Sequence, residues 1–270
     1  MTALQRKLAE ARAEGRAALV GYYPAGLPDV DSSVRVIEAM VAGGCDVIEV
    51  GLPYSDPTMD GPVIQQASDA ALAAGTTPKD VLAVVRATAE TGAAALVMSY
   101  WNPIEQYGVD AFAADMAAAG GAGVITPDLI PEEAGPWIRA SDASGLDRIF
   151  LVAPSSTDQR LKLTCDASRG FVYAASLMGV TGTRDKVAAT ARKLVQRVRG
   201  ATRDSGLPVC VGLGISNGAQ AAEVASYADG VIVGSGFCRR VLDAPDLDTA
   251  CAQVRDFAAE LAEGVRSAAR

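Results

Sequence analysis

The chain has 270 residues, 50% of them apolar and 21% charged, a globular balance that excludes a disordered tail or a low-complexity polymer. Twenty-four basic against thirty-two acidic side chains leave a formal charge of −8, and without a basic stripe this argues against binding a nucleic-acid backbone. There is no histidine, which removes Ser-His-Asp hydrolysis, Cys-His proteolysis and most zinc catalysis.

The N-terminus carries Arg6, Lys7, Glu10, Arg12 and Glu14 in an Ala/Leu-rich stretch, which reads as an amphipathic helix and lacks the uncharged core of a signal peptide. Eight short, nearly continuous apolar runs follow, as expected of parallel strands buried on both faces. They start at Ala18, Asp46, Ala94, Ala122, Arg148, Phe171, Pro208 and Asp229. Helical periodicity falls between them, at Ser32 to Val41, Thr77 to Thr91, Ala111 to Gly120 and Val187 to Val198. Pro78 follows Thr77 at a helix start, Pro131-Glu132-Glu133 reads as a first turn, and Asn217 caps a helix running through Val224. A short helix is expected at Ser235 to Arg240.

Eight βα units with no linker or charge block predict one domain over residues 1–270, an α/β (βα)8 TIM barrel with an extra N-terminal helix and a short helix after strand 8. The competing architecture is an open doubly wound sheet. The stretch between the second and third strands is longer than a simple crossover and must hold extra structure. Cys45, Cys165, Cys210, Cys238 and Cys251 are odd in number and scattered, which fits free thiols in a reducing compartment. With no apolar run near ~18 residues, the expectation is a soluble cytoplasmic protein with no membrane contact.

Glu49 lies inside Val47-Ile48-Glu49-Val50-Gly51 and by two-residue alternation points away from Ile48 and Val50. A carboxylate facing a barrel interior loses water and tends towards a raised pKa. It is either a hydrogen-bonded structural acid or a general acid/base near the C-terminal rim, and the second reading is favoured. Asp56 and Asp60 flank Pro57 in the next loop, closed by Gly61-Pro62. These are ordinary turn residues, yet without histidine Glu49 and Asp60 are the best available proton-transfer pair.

Glycine-rich segments follow three late strands: Gly179 to Gly182, Gly212 to Gly214, and Gly234 to Gly236. They serve either tight βα turns or a phosphate site, since loops after strands 7 and 8 often bind anions through backbone N–H groups and a short helix N-terminus. Tyr22, Tyr23, Tyr100, Trp101 and Tyr173 sit near strand ends, as core filling or as walls of a flat pocket for an aromatic substrate.

The stretch from Ile48 to Gln65, a strand glutamate followed by a Pro-x-Ser-Asp-Pro-x-x-Asp-Gly-Pro loop, resembles the hallmark of the tryptophan synthase alpha subunit family. Gly179 to Gly182, Gly212 to Ser216 and Ala228 to Ser235 follow in that family's order, and the similarity covers essentially the whole chain. The resemblance implies a barrel lyase that cleaves indole-3-glycerol phosphate to indole and glyceraldehyde 3-phosphate. Glu49 matches the family's general acid/base and Asp60 its second catalytic carboxylate. Tyr22, Tyr100, Leu129, Tyr173 and Leu213 fall where the family lines its indole pocket. Gly182, Leu213, Gly214, Gly234 and Ser235 match its phosphate-binding positions, and Thr181 lies in the loop that closes over the site. The implied partner is a tryptophan synthase beta subunit in an αββα complex, which holds the pyridoxal phosphate; the alpha reaction itself needs no cofactor or metal. Thr58-Met59 departs from the family's usual apolar residue plus alanine before the aspartate. A free-standing lyase and a catalytically silent activator of a beta subunit are the alternatives.

Overall fold

The computed structural model describes residues 1–175, 184–203, 205–212 and 214–268. In chain order the elements are α1 (Ala3–Ala13), β1 (Ala18–Pro24), α2 (Val30–Gly43), β2 (Val47–Gly51), α3 (Pro62–Ala73), α4 (Pro78–Glu90), β3 (Ala94–Met98), α5 (Trp101–Tyr107), α6 (Val109–Ala118) and β4 (Gly123–Ile125). They continue with α7 (Gly135–Ser144), β5 (Asp147–Ile149), β6 (Leu151–Val152), α8 (Asp158–Ala167), β7 (Val172–Ala175), α9 (Arg184–Ala201), β8 (Val209–Gly212), α10 (Gly218–Ala225), β9 (Gly230–Val233), α11 (Ser235–Asp243) and α12 (Leu247–Ser267).

Every strand pair is parallel, in the order β5-β4-β3-β2-β1-β9-β8-β7-β6. The outermost pieces, β5 and β6, are two halves of one apolar run interrupted only at Phe150. The first half pairs with β4 and the second with β7. That run therefore closes the sheet into a (βα)8 barrel, and the eight strands expected from the sequence appear as nine segments. The long insertion after β2 holds α3 and α4 as two separate helices.

Burial follows the pleat. Ala18, Val20, Val47, Ala94, Leu96 and Ile232 pack together inside the barrel, whereas Ile48 and Val50 pack outward against the helices. α1 contributes Leu4, Leu8 and Ala11 to the inner cluster. It is pinned to the base of the barrel by Asp147, whose carboxylate accepts from Thr2 Oγ1 (2.5 Å) and Gln5 Nε2 (2.7 Å). α1 thus plugs the base of the barrel, and the cavity that Glu49 faces lies at the opposite, C-terminal rim.

Asn217 caps α10 as expected, its Oδ1 accepting from the Gln220 N–H at 3.0 Å. The helix start expected at Pro131-Glu132-Glu133 is wrong. Those residues form a non-helical turn, with Glu133 N–H donating to Ile130 O, and α7 begins at Gly135 with Pro136 in its first turn. A helix begun at Pro131 would place Pro136 in its interior, where the ring clashes with the carbonyl four residues back; at the first turn the missing N–H costs nothing.

Candidate active site

Glu49 shares the inward face of β2 with Val47 and is in register with Tyr22 on β1 and Leu96 on β3. It is fully buried, and neither carboxylate oxygen has a hydrogen-bond partner among the described residues. Burial alone pushes its pKa up to about 8, so the group carries a proton at neutral pH. A structural acid would have found donors; this one is left facing a cavity of about 280 Å³ at the strand ends.

The lining of that cavity has three chemical parts. The carboxyls of Glu49 and Asp60 form the first, and the apolar walls of Tyr22, Tyr173, Ile64, Met98, Leu151 and Ile232 the second. The third is backbone from Gly212, Gly214, Gly234 and Ser235. Both tyrosine rings rest on glycines of neighbouring strands. A Cβ at Gly51 would lie 2.4 Å from Tyr22 Oη, and one at Gly212 2.5 Å from Tyr173 Oη. The glycines let the rings lie flat against the sheet and leave room between them.

Asp60 ends the loop after β2 and is partly buried. Desolvation raises its pKa, and the nearby Tyr100 hydroxyl works in the opposite direction. Its carbonyl accepts from Gln65 Nε2 at 2.7 Å, which ties the aspartate to α3. Gly214 has φ +64°, a left-handed conformation that a side chain would strain. Ser235 opens α11 directly after Gly234, and the first-turn N–H groups of a helix have no partners within it. Such a terminus favours an anion through both its donors and its dipole.

The structure thus brings Glu49, Asp60, Tyr22, Tyr173, Gly214, Gly234 and Ser235 to one cavity. Tyr100 and Leu129 are buried but do not line it; Tyr100 lies behind the loop that carries Asp60. Thr181, Gly182 and Leu213 lie outside the described residues. Sequence reasoning missed Ile64, Met98, Leu151 and Ile232 as lining residues. For the last three the signal was present, since Met98 alternates with Leu96, Leu151 with Ile149 and Ile232 with Gly234. Among the described residues no group of three or more His, Cys, Asp or Glu side chains is placed to hold a metal ion.

Fold and site together define a (βα)8 barrel of the enzyme type, with two carboxyls in a cavity at the C-terminal rim beside a helix N-terminus suited to an anion. A family model described as tryptophan synthase alpha chain matches residues 8–266. The chain is 86% identical over 270 residues to a tryptophan synthase alpha chain from Thermobifida fusca, covering 100% of both chains. It is 60% identical to that of Acidothermus cellulolyticus, covering 98% of each. A solved structure of Mycobacterium tuberculosis tryptophan synthase superposes with a TM-score of 0.90 at 54% identity, covering 98% of each chain. The tryptophan synthase alpha subunit of Legionella pneumophila superposes at 0.88 with 32% identity, again covering 98% of each. The chain belongs to the tryptophan synthase alpha chain family and is a lyase of tryptophan biosynthesis. Among the described residues no helix is long and apolar enough to cross a membrane.

Proposed function

We propose that the chain cleaves indole-3-glycerol phosphate to indole and glyceraldehyde 3-phosphate, acting with a tryptophan synthase beta subunit in an αββα complex that receives the indole. The observation that carries this reading is Glu49, a buried, unpartnered carboxyl that is protonated at neutral pH and faces a cavity with flat aromatic walls.

Cleavage of the bond between the indole ring and the glyceryl chain is a retro-aldol step. Glu49 gives its proton to C3 of the ring, which converts the indole to an indolenine with positive charge at nitrogen. The Asp60 carboxylate accepts the ring N–H and stabilises that charge, an interaction that strengthens in the transition state. The Glu49 carboxylate then takes the proton of the adjacent glyceryl hydroxyl. The oxygen becomes the aldehyde carbonyl, the carbon–carbon bond breaks, and its electrons return to the ring. Glu49 ends protonated, as it began. Each such proton transfer contributes roughly 10²–10⁴ in rate.

Tyr22 and Tyr173 supply flat faces for the ring, and Gly214, Gly234 and Ser235 hold the phosphate at the start of α11. That anchor fixes the reacting carbon against Glu49. The step needs no cofactor; pyridoxal phosphate belongs to the beta partner.

Indole release by the full chain, alone and with a beta subunit, tests this reading. Glu49→Gln is expected to bind indole-3-glycerol phosphate and to lose turnover by about 10²-fold or more. Near-normal release by that variant would overturn the assignment. Release that rises when the beta subunit is added separates a subunit of the complex from a free-standing lyase.

A further inference from the structure

Tyr100 stands at the end of β3, caps α5 and is 5% exposed. Its backbone is fixed on both sides. Leu52 N–H donates to Met98 O (2.9 Å), Ser99 N–H to Ile125 O (3.1 Å), and Trp101 N–H to Asp128 Oδ1 (2.9 Å). From this anchor the side chain reaches under the loop that joins β2 to α3. The phenol oxygen accepts the Met59 N–H at 3.0 Å, and the Tyr54 ring from the start of the same loop packs on the Tyr100 ring with centroids 5.3 Å apart. One phenol thus grips the loop at both of its ends.

A phenol oxygen that accepts from the backbone still has one proton to donate. Two side chains of the loop lie beside it, the Thr58 hydroxyl and the carboxylate of Asp60, the residue after Met59, and of these the carboxylate is the stronger acceptor for a phenol proton. We infer that Tyr100 is the positioning residue for Asp60: locked to the loop at Met59, its hydroxyl donates to the carboxylate and holds it aimed into the cavity, without lining the cavity itself. This rests on the role proposed for Asp60 above.

Asp60 needs such a donor. Desolvation raises its pKa, and among the described residues the Tyr100 phenol is the group that draws it down. The other titratable groups around Asp60 cannot substitute. Burial raises the pKa of Tyr22, Tyr173 and Cys238, and it keeps Glu49 protonated up to about pH 8. All four are neutral at neutral pH and bring no positive charge. A carboxylate that must accept an indole N–H has to be ionised first.

Tyr100→Phe tests the inference in the full chain assembled with a beta subunit, with glyceraldehyde 3-phosphate formation as the readout. The ring and its packing on Tyr54 remain, and only the hydroxyl is lost. We expect kcat to fall about ten- to a hundredfold, the loss of one hydrogen bond to a charged group, with KM near wild type. The acid limb of kcat/KM, which reports ionisation of the free enzyme's carboxylate, moves to higher pH. The substrate phosphate titrates equally in both proteins and drops out of the comparison. In an Asp60→Asn background, Tyr100→Phe is expected to cost nothing further. An unchanged kcat, or a lower kcat with an unmoved acid limb, would overturn the inference. Failure of the underlying reading shows separately, as wild-type turnover by Asp60→Asn alone.

Discussion

Glu49→Gln should make the folded protein more stable, by an amount that grows with pH. The wild-type carboxyl titrates at about 8 when folded and near its ordinary value of 4.5 when unfolded. A group whose folded pKa is raised binds its proton more tightly in the native state, so ionisation favours unfolding. Its contribution is intact below pH 4.5 and is lost as pH rises from 4.5 through about 8. At about 1.36 kcal/mol per pH unit, the span from 4.5 to about 8 is worth up to about 5 kcal/mol. The amide that replaces the carboxyl has no proton to lose, so the variant escapes this loss. Its advantage over wild type should grow by about 1 kcal/mol at about pH 5, about 3 at about pH 7 and nearly 5 at about pH 8.5, each relative to the advantage at low pH. Asp60, Asp128 and Asp147 also have raised pKa values, but they contribute equally to both proteins and cancel in the difference. Urea unfolding followed by the fluorescence of the two tryptophans, Trp101 and Trp137, measures it. A stability difference that does not change with pH would refute the reasoning.

Two further perturbations probe the walls of the cavity. Gly51→Ala places a Cβ 2.4 Å from Tyr22 Oη and 2.7 Å from its Cζ, which should destabilise the chain by about 1–3 kcal/mol in urea melts. Tyr22→Leu in that background should recover most of the loss, and failure to recover would locate the strain elsewhere. Ser235→Asp puts a carboxylate at the start of α11, where the dipole favours it but a phosphate would be repelled. Steady-state kinetics should show KM for indole-3-glycerol phosphate raised about tenfold or more, with the melting temperature kept; an unchanged KM would remove this terminus from phosphate binding.

The inward aim of Glu49 was legible because alternation along β2 is a local property that needs no knowledge of neighbours. The cap at Asn217 and the helix start at Ser235 were legible for the same reason. Asp60 stood in a loop of ordinary turn residues; the lack of histidine made it the candidate partner of Glu49, and the family resemblance added its role as second catalytic carboxylate. What alternation does not carry is register. Tyr22 lies on Gly51 and Tyr173 on Gly212 only because β1 pairs with β2, and β7 with β8, in one particular offset. The break at Phe150 is likewise a consequence of closure, since one run must serve two neighbours. The helix start misplaced at Pro131 came from reading one proline without weighing Pro136 five residues on. Tyr100, read as core filling or a pocket wall and placed in the pocket by the resemblance, meets Met59 forty-one positions away, a contact that no local pattern contains.

Cleavage by this route depends on one proton at Glu49. An infrared titration of the full chain, read as the difference between wild type and Glu49→Gln, observes it directly. The carboxylic acid carbonyl band should be present at neutral pH and give way to carboxylate bands around pH 8. If the difference spectrum already shows an ionised carboxylate at neutral pH, Glu49 does not hold the proton that the cleavage requires.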